Sequence, residues 1–412
     1  MVRFIHTADL QLILSPGAPD VRRAMQEARF ETLGRIIDVA REREVDFVAI
    51  CGDIFEDGLL VSDDTVHRAL RILSDATPMP VYIIPGNHDP LTPMSVYNHD
   101  AFRTAADSVV VLRTPEPVHI GEGCTLYPCP VLEKQSMQDP TAVIAPRRAE
   151  DGIRIGLAHG ALMIPEKYQL NDHPIPLDAA EKRGLDYLAL GHHHSQYIEG
   201  GRVAYPGTPE QTAFDDTGAG CVLLVGIDAP GAVPAIESVP VGTLTWLNWQ
   251  RELTEPAADA VDALCAEIEA LPALDRTLLR LRLTGTLQTD SMERVTQFAA
   301  WLAHAGLLRA EVDADIGLLE ELTGKLKALA ESDEVIAGAI ADLQRLADLD
   351  GPVDETAEVP PRSAEGLIAL WNDAQLRDNE EVLKGHAEGL TAADAAHAAL
   401  LALAGCAREV EA

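Results

Sequence analysis

Five short apolar runs in the first half of the chain each end in acidic, amide or imidazole side chains, and this repeated pattern constrains the fold most strongly. The runs are VRFIHTAD (2–9), DFVAICGD (46–53), VYIIPGNHD (81–89), RIGLAHG (154–160) and DYLALGHHH (186–194). Near-continuous apolar runs of this length predict buried strands. Apolar residues at helical spacing over 20–44 and 63–74 predict helices between some of them. The alternation indicates a layered α/β fold with polar side chains collected at the strand ends.

The later part of the chain predicts further domains. Residues 1–240 are expected to form the first domain, because two strand-rich runs between 220 and 241 follow the polar-ended strands. Residues 241–315 alternate strand and helix patterns and predict a separate, small α/β domain. Residues 316–412 have a helical pattern, within which the acidic, proline-containing segment 350–362 predicts a linker.

The chain is strongly acidic. Among its 412 residues, 32 Lys and Arg stand against 66 Asp and Glu, for a formal net charge of −34. Such a charge excludes a generic DNA-coating protein that binds phosphates without a specific site. Two explanations of the acidity stay open, adaptation to a salty cytoplasm and a high-GC genome that replaces Lys with Arg.

Other patterns exclude further classes of protein. The six Cys residues are scattered without a C-x-x-C pair, which argues against a zinc ribbon or a disulfide framework. No run approaches the ~18 apolar residues of a membrane span, and the first ten residues read as a polar-studded strand rather than a basic leader. We therefore expect a soluble, cytoplasmic protein with no membrane contact.

The polar side chains at the strand ends are of the types that bind divalent metal ions. They comprise carboxylates, one amide carbonyl and several imidazoles, with no thiolate among them. This set suits Mn²⁺, Fe²⁺ or Zn²⁺. A carboxylate that bridged two ions ~3.5–4 Å apart would let the pair activate water and neutralise phosphate oxygens, which is the chemistry of phosphoester hydrolysis.

The order D-x-x, GD, GNHD, H and GHxH resembles that of the calcineurin-like metallophosphoesterase superfamily. The surrounding segments FIHTADLQL, CGDIFED, PVYIIPGNHDP, LALGHHHSQ and YPGTPEQTAFDD are similar to its DNA-repair exonuclease branch, which holds SbcD-like and YhaO-like nuclease subunits of SbcCD-type complexes. The resemblance covers residues 1–230 strongly and 240–315 weakly. It implies a layered αββα metallophosphoesterase sandwich followed by a small α/β capping domain and a helical C-terminal tail.

The resemblance also implies an activity and partners. We expect a manganese-dependent, two-metal DNA exonuclease and endonuclease that hydrolyses phosphodiester bonds in double-strand break repair. It would act on DNA ends, duplex or single-stranded, as a homodimer and together with an SbcC-like, SMC-type ATPase. The apolar faces of the tail, as in 367–376, would either dock on the ATPase or pack as an ordinary hairpin on their own domain.

Individual roles follow from the same resemblance. Asp53 matches the carboxylate that bridges the two metal ions, and His88 matches the catalytic histidine, with Asp89 placed to orient it. Asp9 and His194 match ligands of one metal. The ligands of the second metal are matched by Asn87, His159 and His192.

Gln11 departs from the family pattern, which is usually D-x-H, with the histidine completing the ligands of the first metal. A glutamine carbonyl is a weaker, neutral oxygen donor. Three outcomes stay open: Gln11 ligates through oxygen and favours Mn²⁺, water replaces it and affinity drops, or the site is vacant and the protein is a degenerate nuclease. We favour the first two, because every other ligand position is intact.

Two other functions remain open beside the nuclease. The acidic surface favours a small-molecule phosphodiesterase. The altered D-x-Q site favours a non-cutting scaffold subunit. Near the motifs, we expect His6 to be a buried structural group and Glu56 either to contribute to the substrate groove or to cap its loop.

Overall fold

The computed structural model describes most of the first 318 residues of the chain. The described residues are 1–12, 18–56, 58, 60–164, 171–254 and 257–318, together with 324, 327, 338 and 341. The predicted linker at 350–362 and the apolar tail segment 367–376 lie outside the described residues.

The strands are β1 (Val2–Thr7), β2 (Phe47–Cys51), β3 (Val81–Ile84), β4 (Val109–Val111), β5 (Val118–Ile120), β6 (Cys124–Pro128), β7 (Ile153–His159), β8 (Tyr187–Gly191), β9 (Tyr197–Glu199), β10 (Val203–Tyr205), β11 (Cys221–Ile227), β12 (Ala235–Pro240), β13 (Thr245–Leu253), β14 (Thr277–Leu287) and β15 (Arg309–Leu318). The α-helices are α1 (Pro19–Glu42), α2 (Asp63–Ser74), α3 (Asp100–Thr104), α4 (Ala179–Arg183), α5 (Ala257–Glu269) and α6 (Thr289–Leu302).

The first sheet has the strand order β12-β11-β1-β2-β3-β4. Strands β1 to β4 are parallel, with Phe4 beside Phe47 and Val48 beside Val81. Strand β11 pairs antiparallel with β1, and β12 pairs antiparallel with β11. Because parallel strands have their carboxyl ends at the same edge, the polar segments that follow β1, β2 and β3 meet there.

The second sheet has the strand order β5-β6-β7-β8-β10-β9. Strands β6, β7, β8 and β10 are parallel, and β5 and β9 pair antiparallel at the two edges. His159 is the last residue of β7 and pairs with Gly191 at the end of β8. The histidines of the second sheet therefore also lie at carboxyl strand ends.

Three apolar clusters show how the layers pack. One cluster joins the first sheet, through residues such as Ile5 and Val48, to Leu33 of α1 and the neighbouring helix α2. A second cluster lies between the sheets and includes Phe4 and Tyr187. A third joins the other face of the second sheet to helix α4. The predicted α/β fold class, with a helix layer outside each of two stacked sheets, is confirmed.

The two long helices that pack on the first sheet begin at residues suited to a helix N-terminus. Helix α1 was expected over 20–44 and begins at Pro19, a position where the missing N–H costs no hydrogen bond. Helix α2 has its predicted bounds, and the Ser62 hydroxyl accepts a hydrogen bond from the Thr65 N–H at its start. Within the described ranges, no helix is long and apolar enough to cross a membrane.

Strands β13, β14 and β15 form a third sheet in that order, and helices α5 and α6 contact each other. The chain divides into two compact units, the first built mainly from residues 1–249 and the second including 250–271 and 281–305. The domain boundaries after residues 240 and 315 stay predictions.

His6 of β1 connects the two sheets of the first unit and is fully buried. Its Nε2 lies 3.0 Å from the Leu190 carbonyl oxygen, and its Nδ1 lies 2.9 Å from the Tyr187 hydroxyl. Because a carbonyl can only accept, Nε2 donates to Leu190 and Nδ1 accepts from Tyr187. Burial, partly opposed by the hydrogen bond to Leu190, lowers the pKa of His6 from 6.5 to about 3.

The free energy of unfolding is expected to fall as the pH decreases from about 6.5 toward 3, because the unfolded chain binds a proton that folded His6 excludes. In His6→Gln the side chain does not titrate. We therefore expect this variant to lose about 2 kcal/mol less than the wild type between pH 7 and pH 5. Urea unfolding of both proteins in a chelator measures the difference, and parallel pH dependences would contradict it.

Candidate metal centre

Several non-glycine residues next to the strand ends have left-handed backbone angles. The φ angle is 54° at Asp9, 47° at Gln11, 52° at Asp53 and 112° at His192. Such angles cost on the order of 1–3 kcal/mol each and persist only where surrounding bonds impose them. The Asp9 N–H donates to the Gly52 carbonyl, and the Gln11 N–H to the Asp53 carbonyl, both at 3.1 Å. A concentration of strained residues of this kind marks a functional site.

Two glycines of the motifs let the polar side chains approach. A Cβ atom on Gly86 would lie 2.1 Å from Asp53 Oδ1, and one on Gly52 would lie 2.3 Å from His159 Nδ1. Gly52 also has a φ angle of 89°. The glycines of GD and GNHD are therefore required by the space that Asp53 and His159 occupy.

The residues matched to the second metal converge on the Asn87 side chain. His159 Nε2 lies 2.7 Å and His192 Nδ1 lies 3.1 Å from Asn87 Oδ1. Asp53 Oδ2 lies 3.2 Å from His159 Nε2. Strands β2 and β3 of the first sheet and β7 and β8 of the second thus each bring one donor to the same point.

The protons of the two imidazoles are directed away from this point. His159 Nδ1 lies 2.8 Å from the Cys51 carbonyl, and His192 Nε2 lies 2.7 Å from Asp172 Oδ2. Both partners can only accept, so in the neutral form of each ring, the form that binds a metal ion, the opposite ring nitrogen carries a lone pair. Two nitrogen lone pairs, the Asn87 oxygen and the Asp53 carboxylate therefore face one another, which is the arrangement that a divalent cation stabilises. The donor set fits a metal ion of borderline hardness.

The pKa values of His159, Asp53 and Asp9 also indicate that positive charge is stabilised at this point. Burial alone would lower the pKa of His159, yet the neighbouring Asp53 carboxylate raises it to about 10. Burial tends to raise the pKa of Asp53, but His159 outweighs it and lowers that pKa. Burial, together with Asp53, raises the pKa of Asp9. A proton on His159 thus supplies charge that a metal ion supplies when bound.

Asp9 joins this group from the end of β1. Ligand atoms of Asp9, Asp53 and His159 lie within 4.8 Å of one another, and all three residues are buried. The Asp9 carboxylate also accepts the His192 N–H at 2.9 Å. Asp53 therefore has ligand atoms close to both Asp9 and His159.

Gln11 contacts His194 through its amide nitrogen. Gln11 Nε2 lies 2.8 Å from His194 Nε2, and since an amide N–H only donates, His194 Nε2 accepts. His194 Nδ1 lies 3.4 Å from the Thr212 hydroxyl. The lone pair that His194 would offer a metal is therefore bonded to Gln11. The amide has to rotate before its oxygen faces the same point.

His88 follows Asn87 directly and is half-buried. Its backbone N–H donates to Asp53 Oδ1 at 2.9 Å. Its Nδ1 lies 2.7 Å from the Glu56 carbonyl and so carries a proton, which leaves Nε2 free of this bond. The Glu56 carboxylate lies 3.7 Å from the same ring nitrogen. His88 therefore has the geometry of a proton donor beside the metal-binding side chains.

Asp89 has a different contact from the one that the resemblance implies. Its carboxylate accepts hydrogen bonds from the backbone N–H groups of Gly86 at 2.8 Å and Phe55 at 3.1 Å, and from the Tyr97 hydroxyl at 2.8 Å. The His88 ring is oriented by Glu56 instead. Burial, with a contribution from Asp53, raises the pKa of Asp89 to about 6. Asp89 thus fixes the GNHD loop rather than the histidine ring.

The structure adds residues that the motifs do not include. Arg29 of α1 donates to the Gln11 carbonyl at 2.5 Å and is buried. Its signal in the sequence is a charge on an apolar helix face, four residues from both Met25 and Leu33. Asp172 contacts His192 but lies in a loop outside any periodic pattern, so no sequence signal marks it.

A cavity of about 200 Å³ lies beside these residues. Its lining includes Asn87, His88 and Asp89 of the GNHD motif, Gly58, and Lys134 from the loop after β6. Lys134 is exposed, and in the described part of the chain no ion pair includes it, whereas Lys182 pairs with Asp178 at 2.9 Å. The cavity therefore presents one cationic side chain next to His88.

Comparisons with known proteins agree with this geometry. The Bacillus subtilis (strain 168) protein named uncharacterized metallophosphoesterase YhaO is 29% identical over 234 residues, 52% of this chain and 55% of that protein. The Methanopyrus kandleri DNA double-strand break repair protein Mre11 is 28% identical over 282 residues, covering 61% and 58%. A subunit of the nuclease SbcCD of Escherichia coli (strain K12) is 22% identical over 285 residues, covering 58% and 68%.

The chain spans less than two thirds of the length of the first two of these relatives. A family model described as calcineurin-like phosphoesterase matches residues 2–196. The match includes the D-x-x, GD, GNHD, H and GHxH motifs whose side chains converge at the strand ends. The resemblance to this superfamily is confirmed, and residues 2–196 form a calcineurin-like phosphoesterase domain.

Proposed function

We propose that this protein is a manganese-dependent DNA exonuclease and endonuclease that hydrolyses phosphodiester bonds. The observation that carries the proposal is the set of lone pairs from Asp53, Asn87, His159 and His192 that face one point with His88 beside them. Such a set holds divalent metal, and a neighbouring imidazole can protonate a leaving oxygen.

The proposed donors would hold two metal ions, and two bound ions would supply Lewis-acid activation of water and of the phosphate. We assign Asp53 to both ions. We assign Asn87, His159 and His192 to one ion and Asp9, Gln11 and His194 to the other.

The remaining step belongs to His88. With Nδ1 donating to the Glu56 carbonyl, the charged ring has its second proton at Nε2, where it can be given to the departing oxygen. Asp89 keeps the loop in place, since it accepts hydrogen bonds from the backbone N–H of Phe55, two residues after Asp53, and of Gly86, directly before Asn87.

The choice of metal rests on the types of donor. All proposed ligands are oxygen or imidazole nitrogen, and Gln11 would add a neutral oxygen where the family usually has an imidazole. Replacing nitrogen by oxygen shifts preference toward harder ions, which favours Mn²⁺ over Zn²⁺.

Support for DNA as substrate and for an ATPase partner comes from the relatives. Two of them are named as a DNA double-strand break repair protein and as part of a nuclease complex, SbcCD. We propose that this chain likewise works in double-strand break repair, as a homodimer with an SbcC-like ATPase. A net charge of −34 disfavours unspecific DNA binding, so a partner that presents the DNA fits the surface.

A small-molecule phosphodiesterase is the second candidate, because the same net charge opposes a polyanionic substrate. Cleavage of a nitrophenyl phosphodiester without cleavage of DNA, with or without the ATPase, would select it. The non-cutting scaffold is the third candidate. The observation that favours it is the hydrogen bond from the Gln11 amide N–H to His194 Nε2.

His88→Ala is expected to reduce cleavage of linear duplex and single-stranded DNA with Mn²⁺ by about 10²–10⁴-fold, because the proton donor is lost. His119→Ala is the matched control, since His119 is an exposed histidine of β5. Metal affinity should be unchanged in both variants. DNA cleavage that survives in His88→Ala would contradict the assignment, and wild type that binds Mn²⁺ without cutting DNA at low or high salt would contradict the nuclease.

Gln11→His is expected to tighten the weaker of two Mn²⁺ binding events by about tenfold, because an imidazole lone pair replaces an amide whose N–H occupies His194. Calorimetric titration measures both affinities, and Gln138→His, in an exposed loop, is the control. Cutting that appears only in Gln11→His would favour the scaffold. Unchanged affinities would show that Gln11 does not limit the first site.

Lys134→Gln is expected to weaken DNA binding and to reduce the slope of log affinity against log salt by about 1, the value for one lost phosphate contact. Lys182→Gln removes an equal charge from α4 and should change neither quantity as much. Fluorescence anisotropy with a chelator present, to prevent cleavage, gives both numbers. Equal slopes for the two variants would show that Lys134 does not contact a DNA phosphate.

A further inference from the structure

The His192 imidazole is bonded, on the side away from the candidate metal centre, to a carboxylate that no motif includes. Asp172 Oδ2 lies 2.7 Å from His192 Nε2, while His192 Nδ1 lies 3.1 Å from Asn87 Oδ1. A carboxylate can only accept, so the proton of the neutral ring is at Nε2 and the lone pair is at Nδ1. The contact therefore selects which ring nitrogen faces Asn87.

Asp172 lies on backbone that a neighbouring segment holds in place. Its carbonyl accepts the Ala161 N–H at 3.0 Å. On either side, Ser136 N donates to the Asn171 carbonyl at 3.0 Å, and His173 N donates to the Ser136 carbonyl at 2.9 Å. The carboxylate is thus presented from a fixed position, although no helix or strand contains it.

The contact has little to contribute to folding. The Asp172 side chain is 27% exposed and the His192 side chain 20% exposed. Ion pairs that solvent can screen contribute little to stability. Its principal effect therefore falls on the orientation and tautomer of the His192 ring.

We propose that Asp172 is a positioning residue that acts through His192 to strengthen divalent metal binding at Asn87, His159 and His192. It keeps the Nδ1 lone pair directed at the metal position and, as an anion on the opposite nitrogen, makes the imidazole a stronger electron-pair donor. At His159 the Cys51 carbonyl bonds to the corresponding far nitrogen. The inference rests on the proposed function only in taking these side chains as metal ligands.

The test is calorimetric titration of the full chain with Mn²⁺, without DNA. Asp172→Ala is expected to weaken the tighter binding event by about 10–100-fold. Asp172→Asn should weaken it less, because an amide oxygen still accepts the Nε2 proton but carries no charge. Asp178→Ala, which removes a surface carboxylate paired with Lys182, is the matched control and should leave it unchanged. The melting temperatures of all four proteins in chelator should agree closely.

Equal Mn²⁺ affinity in wild type and Asp172→Ala would overturn the inference. It would also be overturned if Asp172→Ala clearly lowered the melting temperature of the metal-free protein while the Asp178→Ala control did not, since the residue would then be structural. Because no DNA is present, wild type that binds Mn²⁺ but cuts no DNA would contradict the nuclease and leave this inference standing. Wild type that binds no Mn²⁺ would overturn both.

Discussion

The buried contact between Asp53 and His159, 3.2 Å apart, is the interaction on which the rest of the site depends. Asp53 follows β2 of the first sheet and His159 ends β7 of the second, so the contact joins the edges of two stacked sheets. Both side chains are buried, so water screens the electrostatic interaction between them only weakly. Asp53 therefore raises the pKa of His159 although burial alone would lower it. Positive charge stabilises this pair of side chains, and a bound divalent ion would supply it.

The surrounding hydrogen bonds direct each donor toward that point. The Cys51 carbonyl and the Asp172 carboxylate take the protons of His159 and His192, and Asp89 holds the loop that carries Asn87. Left-handed backbone at Asp53 and His192 places the side chains beyond the strand ends. These hydrogen bonds thus direct the donors of Asn87, His159 and His192 toward one point, whereas the Gln11 amide oxygen is not directed there.

Much of the fold and of the site could be predicted from the sequence. Apolar runs that end in GD, GNHD and GHHH predicted which strands carry the polar residues, because hydrophobic burial and strand direction are local properties. Helix α2 was predicted with its bounds, since the spacing of its apolar residues is also a local property. The contacts of Asp89 with Gly86, Phe55 and Tyr97 were not predicted, because the partner of a side chain depends on which loops fold beside it.

Apolar periodicity and motif order along the chain are enough to establish the α/β class, the five polar strand ends and the types of donor that collect there. The folded contacts are needed to establish which nitrogen of each histidine faces the candidate metal position, that the Gln11 amide nitrogen faces His194, and that Asp172 contacts His192. These features could not be predicted because hydrogen bonds have direction. Partners that are far apart in the chain must first be brought within about 3 Å before a hydrogen bond between them can fix a tautomer or a rotamer.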